Sequence, residues 1–401
     1  MAVYIWEGRN RAGDRKSGEV TAKNRQVAIE RLVADGIFVK SIKAKGIEIN
    51  IKFFKKKIKD KDVALFTKGF SVMVGSGLPI LDSLDILADQ EKNPEFKKVI
   101  MDIYSKVEGG STLTFALSEH KKVFSDLYVS LIESGEKSGT LDDVAKRLSN
   151  YMEKTIALKR KIRGAMIYPS MVSAVAVGVV TLILTIVIPS FASLYESSGM
   201  LLPLPTRIVI QMSELLRSYF LYIAGALVAI FLIFRYLYRK SYKFRKFVDK
   251  MILNIPIFGL LIKKASIARF ARTLGSLMKS GVDILEGFDI IAKIAGNVVI
   301  QENLLSIRED VASGSSVAEP LRKSELFPSM VAHMVSVGEK TGRLDEMLEK
   351  TADYYEAEVD NTVNNLSTLI EPIIIVVLGV IIGFIVIAMY LPIFKLGEVI
   401  K

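Results

Sequence analysis

Cysteine is absent from the 401 residues, which excludes structural disulfides, thiolate metal centres and cysteine nucleophiles. Histidine is almost absent. His120 and His333 are the only two, without evident partners for a metal site or imidazole catalysis, so both read as structural or surface residues. Charge vanishes in three stretches: no Asp, Glu, Lys or Arg occupies 164–195, 218–234 or 372–394, so the usual marks of an ion or proton path are missing there. What is present in quantity is apolar side chains, half of all residues, together with a net charge of +11. That combination points to a membrane protein with large water-facing parts.

At 1.5 Å per residue, "YPSMVSAVAVGVVTLILTIVIPSF" (168–191) crosses roughly 30 Å of hydrocarbon, as does "PIIIVVLGVIIGFIVIAMYLPIF" (372–394). "SYFLYIAGALVAIFLIF" (218–234) is near the lower limit and spans if Arg217 and Arg235 snorkel. Basic residues crowd just before the first span (Lys159, Arg160, Lys161, Arg163) and just after the second (Arg235, Arg239, Lys240, Lys243), which makes both flanks cytoplasmic. The opening MAVYIWEGRNRAG has no signal-peptide core, so the N-terminus is expected in the cytoplasm and the C-terminus outside. Because the positive charge hugs the bilayer, it needs no nucleic acid to explain it.

The chain repeats itself. "FTKGFSVMVGSGLPILDSLDIL" from Phe66 matches "FARTLGSLMKSGVDILEGFDII" from Phe270 at a shift of 204; the shift becomes 203 where Phe124 meets Phe327, and holds through Pro169/Pro372 and Pro189/Pro392. Apolar residues recur every three to four positions in each copy, as in an amphipathic helix bundle. Ahead of them, "VYIWEG", "KSGEVTA", "NRQVAIERLVADG" and "IFVKSIKA" read as strand, strand, helix, strand around a polar turn at 11–15, with Asn24 capping the helix and Gly36 ending it. "KFFKKKIKDKD" (52–62) reads as a basic surface linker or a contact for anionic lipid. The expected architecture is an all-α membrane protein: a small N-terminal α+β unit (1–50), a first cytoplasmic helical domain (51–167), span one (168–191), an external loop (192–217), span two (218–238), a second helical domain (239–370), span three (371–394) and an external tail (395–401).

The most distinctive repeated element is a dodecamer, "ESGEKSGTLDDV" (133–144) and "SVGEKTGRLDEM" (336–347). "GEKTG" is no nucleotide loop, since its lysine precedes the second glycine and no strand precedes the motif. Locally it is a helix corner, with Gly135 and Gly139 supplying backbone freedom and Thr140 and Asp143 forming a capping box that Arg343 removes from the second copy. Alternatively it is a docking or self-assembly surface built from Gly135, Glu136, Lys137, Gly139 and Asp142 and, in the second copy, Gly338, Glu339, Lys340, Gly342 and Asp345. Asp85 with Glu136 is a minor candidate for a divalent cation. Pro169, Pro189, Pro372 and Pro392 bound the first and third spans, and Glu371 sits at the mouth of the third.

These features together carry a resemblance. The "F-x(8)-G-x-G-x-P-I-L" opening at Phe66, "GEKSGTLDD", "KRKIRGAMIYP", "PIFGLLIKKASIARFARTLGSLMKSGV" from Pro256 and "GEKTGRLDEMLEKTADYYE" resemble the inner-membrane platform proteins of type IV pilus and type II secretion machines, the PilC and GspF family, in order along the whole chain. "YIWEGRNRAGDRKSGEV" looks more like the pilus branch. The resemblance implies a non-enzymatic, cofactor-free, homo-oligomeric scaffold in the bacterial inner membrane. It also implies partners: hexameric assembly and retraction ATPases, pilin subunits, other inner-membrane pilus proteins and membrane lipid. A channel or transporter is the rival class, weakened by the uncharged spans.

Overall fold

The computed structural model describes residues 2–9, 15–22, 24–44, 56–196 and 202–399, in two units divided at Lys57 and Ile58. In the first unit, β1 (Ala2–Arg9), β2 (Arg15–Ala22) and β3 (Phe38–Ala44) form an antiparallel sheet in the order β2-β1-β3, with α1 (Arg25–Ala34) between β2 and β3. Asn24 Oδ1 accepts the Val27 N–H at 2.9 Å, and Gly36 takes φ +76 just past the helix, so the expected cap and stop both form. Trp6, Ala22, Ala28, Leu32 and Ile42 close a core of their own. Of the turn expected at 11–15 only Arg15 is described, opening β2; residues 52–55 of the basic linker likewise lie outside the described residues.

The second unit is helical throughout its described residues. Its first half runs α2 (Asp60–Gly75), α3 (Ile80–Gln90), α4 (Pro94–Glu108), α5 (Leu113–Ser118), α6 (Asp126–Ser138) and α7 (Leu141–Leu182). A π turn at 183–187, α8 (Ile188–Glu196), α9 (Leu204–Ser218), α10 (Phe220–Lys240) and α11 (Tyr242–Asn254) follow. The second copy is α12 (Phe258–Lys279), α13 (Ile284–Ile294), α14 (Val298–Ala312), α15 (Ala318–Lys323), α16 (Ser329–Thr341) and α17 (Leu344–Val399). The two bundles share an aromatic keystone at equivalent positions. Phe66 and Phe124 lie 6.0 Å apart in the first, and Phe270 and Phe327 lie 5.0 Å apart in the second. Each ring is buried, worth roughly 1.5–3 kcal/mol of transfer free energy.

Among the described residues, three helices are long and apolar enough to cross a membrane. Two of them are not separate spans. α7 continues from the first bundle into span one without a break, 42 residues or about 63 Å at 1.5 Å per residue, and α17 does the same for span three over 56 residues. The prolines expected to bound the spans therefore fall inside or beside helices: Pro169 within α7, Pro372 and Pro392 within α17, and Pro189 as the second residue of α8. They mark the edges of the uncharged stretches, not helix ends. A proline ring clashes with the carbonyl four residues back and cannot donate to it, and the wider π turn at 183–187 sits immediately before Pro189, where the Ile188 N–H reaches back to Ile183 O.

The 192–217 segment is not simply an external loop. Its helix α9 packs against both outer spans: the Ser213 hydroxyl donates to the Leu184 carbonyl at 2.5 Å, inside the π turn, and the Thr206 hydroxyl donates to the Ala388 carbonyl of α17. Val209 packs with Leu184, Ile188, Ile385 and Ala388. By contrast, α10 buries none of its side chains.

Before the second bundle the chain turns through 104° between α11 and α12. The turn places Ile257 at φ +67, where a β-branched residue is strained, and brings Gly259 so near Leu253 that an added Cβ would lie 2.1 Å from its carbonyl oxygen.

Candidate functional site

In the dodecamer, α6 ends on Gly139 at φ +71 and α16 ends on Gly342 at φ +68, both in the left-handed region that glycine enters without steric cost. Gly135 does a different job from the one expected. It is helical and buried, accepts the Thr140 N–H at 3.0 Å, and lets α7 pack so close that an added Cβ would lie 3.0 Å from Val144 Cβ. Gly338 repeats this, with the Arg343 N–H at 2.9 Å and a would-be Cβ 2.8 Å from Leu344 Cα. The Thr140 capping box does not form. The Thr140 hydroxyl instead meets that of Ser138 at 2.7 Å, because residue 140 lies near φ −110, ψ 38, away from the extended geometry a capping side chain needs.

Glu136 and Glu339 are both engaged within their own bundles. The two oxygens of Glu136 accept the Leu113 and Thr114 N–H groups at 2.8 and 2.9 Å, plus the Thr114 hydroxyl at 2.6 Å; Glu339 accepts Val317 and Ala318 N–H at 2.5 and 3.2 Å. Each carboxylate closes the N-terminal turn of a short helix, α5 or α15, whose first N–H groups have no partner within the helix. A divalent cation held by Asp85 and Glu136 would have to compete with these hydrogen bonds. Among the described residues no cluster of three or more His, Asp or Glu side chains could hold a metal. On the outer face, Lys137 pairs with Glu133 at 2.6 Å, Arg343 with Glu346 at 3.6 Å, and Asp142 and Lys340 are exposed. Asp345 is half-buried beside α12, its carbonyl oxygen 3.4 Å from where a Gly275 Cβ would sit.

The sequence reading missed the seam between the two bundles. Leu277, Val282 and Ile290 of the second repeat are buried within the hydrophobic core of the first. Around them, the Ser134 hydroxyl donates to the Ser280 carbonyl, Arg147 to the Lys279 carbonyl, and Tyr151 meets Thr273 at 3.2 Å. Arg272 bridges Glu356 at 2.9 Å and Asp353 at 2.5 Å, Lys154 adds a contact to Asp353 at 3.2 Å, and Lys161 pairs with Asp360. Burial acts to raise the Asp353 carboxyl, but hydrogen bonds from Arg272 and then Lys154 outweigh it and hold the group below its usual range. Two clefts open along the seam, about 430 Å³ beside Arg147 and Arg272 and about 800 Å³ between α7 and the α2 and α12 faces.

The repeat itself held the signal. At the repeat shifts, Arg272 and Glu356 are the counterparts of Lys68 and Glu153, which pair at 3.7 Å in the first bundle. In the first bundle that pair is on the surface, 62% and 67% exposed; in the second bundle the pair is 10% and 19% exposed because the first bundle covers it.

The family description for type II secretion system (T2SS) protein F matches 66–189 and again 270–392, and that of the protein F N-terminal domain matches 1–43. The chain belongs to the type II secretion system protein F family. Within this family, the type IV pilus assembly protein PilC of Myxococcus xanthus is 42% identical, covering 100% of this chain and 96% of its own length. PilC of Pseudomonas aeruginosa is 41% identical over 86% of this chain and 92% of its own. A type II secretion system protein F, from Vibrio cholerae, is 29% identical over 99% of both. The family match begins at the keystone residues Phe66 and Phe270 and ends at Pro189 and Pro392, so the family unit is one bundle with its continuous outgoing helix.

Proposed function

We propose that the chain is the inner-membrane platform of a type IV pilus machine, a scaffold that couples cytoplasmic hexameric ATPases to the insertion or removal of pilin subunits. Identity of 40–42% to three PilC proteins over 86–100% of this chain, against 29–33% to three type II secretion system proteins F, supports the pilus branch over the secretion branch. In this reading the N-terminus is cytoplasmic, the C-terminus is periplasmic, and chemistry belongs to the partners. The helices α7 and α17 are the coupling parts. A rod that is continuous from bundle to span transfers displacement of the bundle into the bilayer, and the charged seam keeps the two rods moving together. Pilin would meet the membrane part and the ATPases the bundles, alongside other inner-membrane pilus proteins.

The test is co-isolation. Tagged protein extracted from membranes in mild detergent should retain a hexameric ATPase and pilin; recovery of a folded platform with neither, under conditions that keep other membrane complexes intact, would contradict the reading. A solute-conducting channel is the reading that gains if the reconstituted protein shows selective flux.

A further inference from the structure

The two repeats touch through different surfaces, head to tail. The first bundle contributes a donor face of Ser134, Arg147, Tyr151 and Lys154, and the second contributes an acceptor face of Arg272, Thr273, Leu277 and Ile290. In a contact of this kind each partner uses one face and leaves the other open, unlike a two-fold contact, in which both use the same patch. Both unused faces are present here, and each is exposed in part. The donor counterparts on the second bundle are Val337, Lys350, Tyr354 and Ala357: Tyr354 is 46% exposed where Tyr151 is 9%, and Val337 is 38% exposed. The acceptor counterparts on the first bundle include Lys68, Gly69, Met73 and Ile86: Ile86 is 38% exposed where Ile290 is 3%, and neighbouring Leu65 and Val72 are exposed on the same helix.

We infer that the second bundle of one copy docks on the first bundle of another through these two faces, repeating between chains the contact that joins the repeats within a chain. The inference deepens the platform proposed above by giving it a self-association and the surfaces that would carry it, and it rests on the fold independently of any pilus partner. The seam gives the geometry such a contact would take. Lys350 keeps the cation of Arg147 at the helix end, whereas Gly69, whose flank is filled by Leu87 of its own bundle, offers Tyr354 no hydroxyl where Thr273 meets Tyr151. The ion pairs do not carry over, since Lys154 and Asp353 correspond to Ala357 and Asn150, and Lys161 and Asp360 to Asn364 and Ala157. The contact between copies is therefore weaker than the seam and reversible. Because both bundles feed outgoing helices that run in the same direction, successive copies in one bilayer are related by a rotation about the membrane normal, and the assembly is a ring where that rotation closes.

The chain has no cysteine, so introduced thiols report without background. Two differently tagged full-length chains, one with Tyr354→Cys and one with Lys68→Cys, are co-expressed, extracted in detergent and treated with a short bis-maleimide. The inference expects a mixed cross-linked dimer and none when either variant is alone. Self-cross-linking of Tyr354→Cys, or an oligomer by light scattering that yields no mixed product, overturns it, as does a monomer at all concentrations. Leu65→Glu, on an already exposed position, should raise the dissociation constant at least about tenfold without lowering the thermal midpoint; an unchanged constant also overturns it. Loss of pilin or ATPase co-isolation with the mixed cross-link intact would count against the proposed function alone.

Discussion

Glu136 and Glu339 show how a repeated charged motif can be structural at the scale of single residues. Each carboxylate holds two backbone N–H groups of the next-door short helix, so Glu136→Ala or Glu339→Ala should cost about 2–3 kcal/mol, the range for hydrogen bonds to a charged group. Denaturation of the detergent-solubilised protein measures this, and a lowered midpoint in Glu136→Lys would mean that loss of any partner in that variant reports unfolding and not docking. The glycines separate by role. Gly342→Ala strains a left-handed residue by about 1 kcal/mol, whereas Gly338→Ala forces α16 and α17 apart against backbone 2.8 Å away and should cost more, about 1–3 kcal/mol. Equal midpoints for the two variants would contradict that assignment. Sequence alone showed where these residues recur but not what they touch, because a carboxylate in a G-E-K-x-G turn looks solvent-facing until the short helix 21 to 23 residues earlier is folded against it.

At the scale of elements, hydropathy found the three spans, and periodicity with capping residues found the α+β unit and the bundles. It could not show that α7 and α17 run unbroken, because proline ordinarily argues for an end, and within an apolar helix the neighbouring helices and a π turn absorb its effect. Nor could it place α9, most of which the sequence leaves in an external loop until the Thr206 and Ser213 hydroxyls find carbonyls on α17 and the π turn. If α9 is so anchored, Thr206→Cys with Ala388→Cys in the cysteine-free chain should form a disulfide under mild oxidation within one chain. Free thiols throughout, in protein that is otherwise folded, would place α9 away from the spans.

At the scale of the molecule, duplication supplied two copies of one surface pair, and packing buried one of them. Arg272, Glu356 and Asp353 inherit positions that are polar and exposed in the first bundle, which is why their composition looks ordinary in sequence and their role appears only at the seam. The seam has a pH signature of definite sign. Asp353 is held below its ordinary value in the folded state, so its contribution is complete above the unfolded carboxylate value near 3.8 and is lost as pH falls through the lower folded value. Asp102, lowered by hydrogen bonds from Lys106 and then His120, acts in the same window within the first bundle. Asp353→Asn should flatten the acid limb of the stability profile; an unaltered limb would remove Asp353 from the account.

The central claim is that this two-bundle, three-span chain is the platform on which pili are assembled, and its most direct measurement is the count of surface pili in a strain lacking the gene. The account predicts no surface pili with pilin still synthesised, restored by the intact chain. Normal piliation in the deletion strain would contradict it.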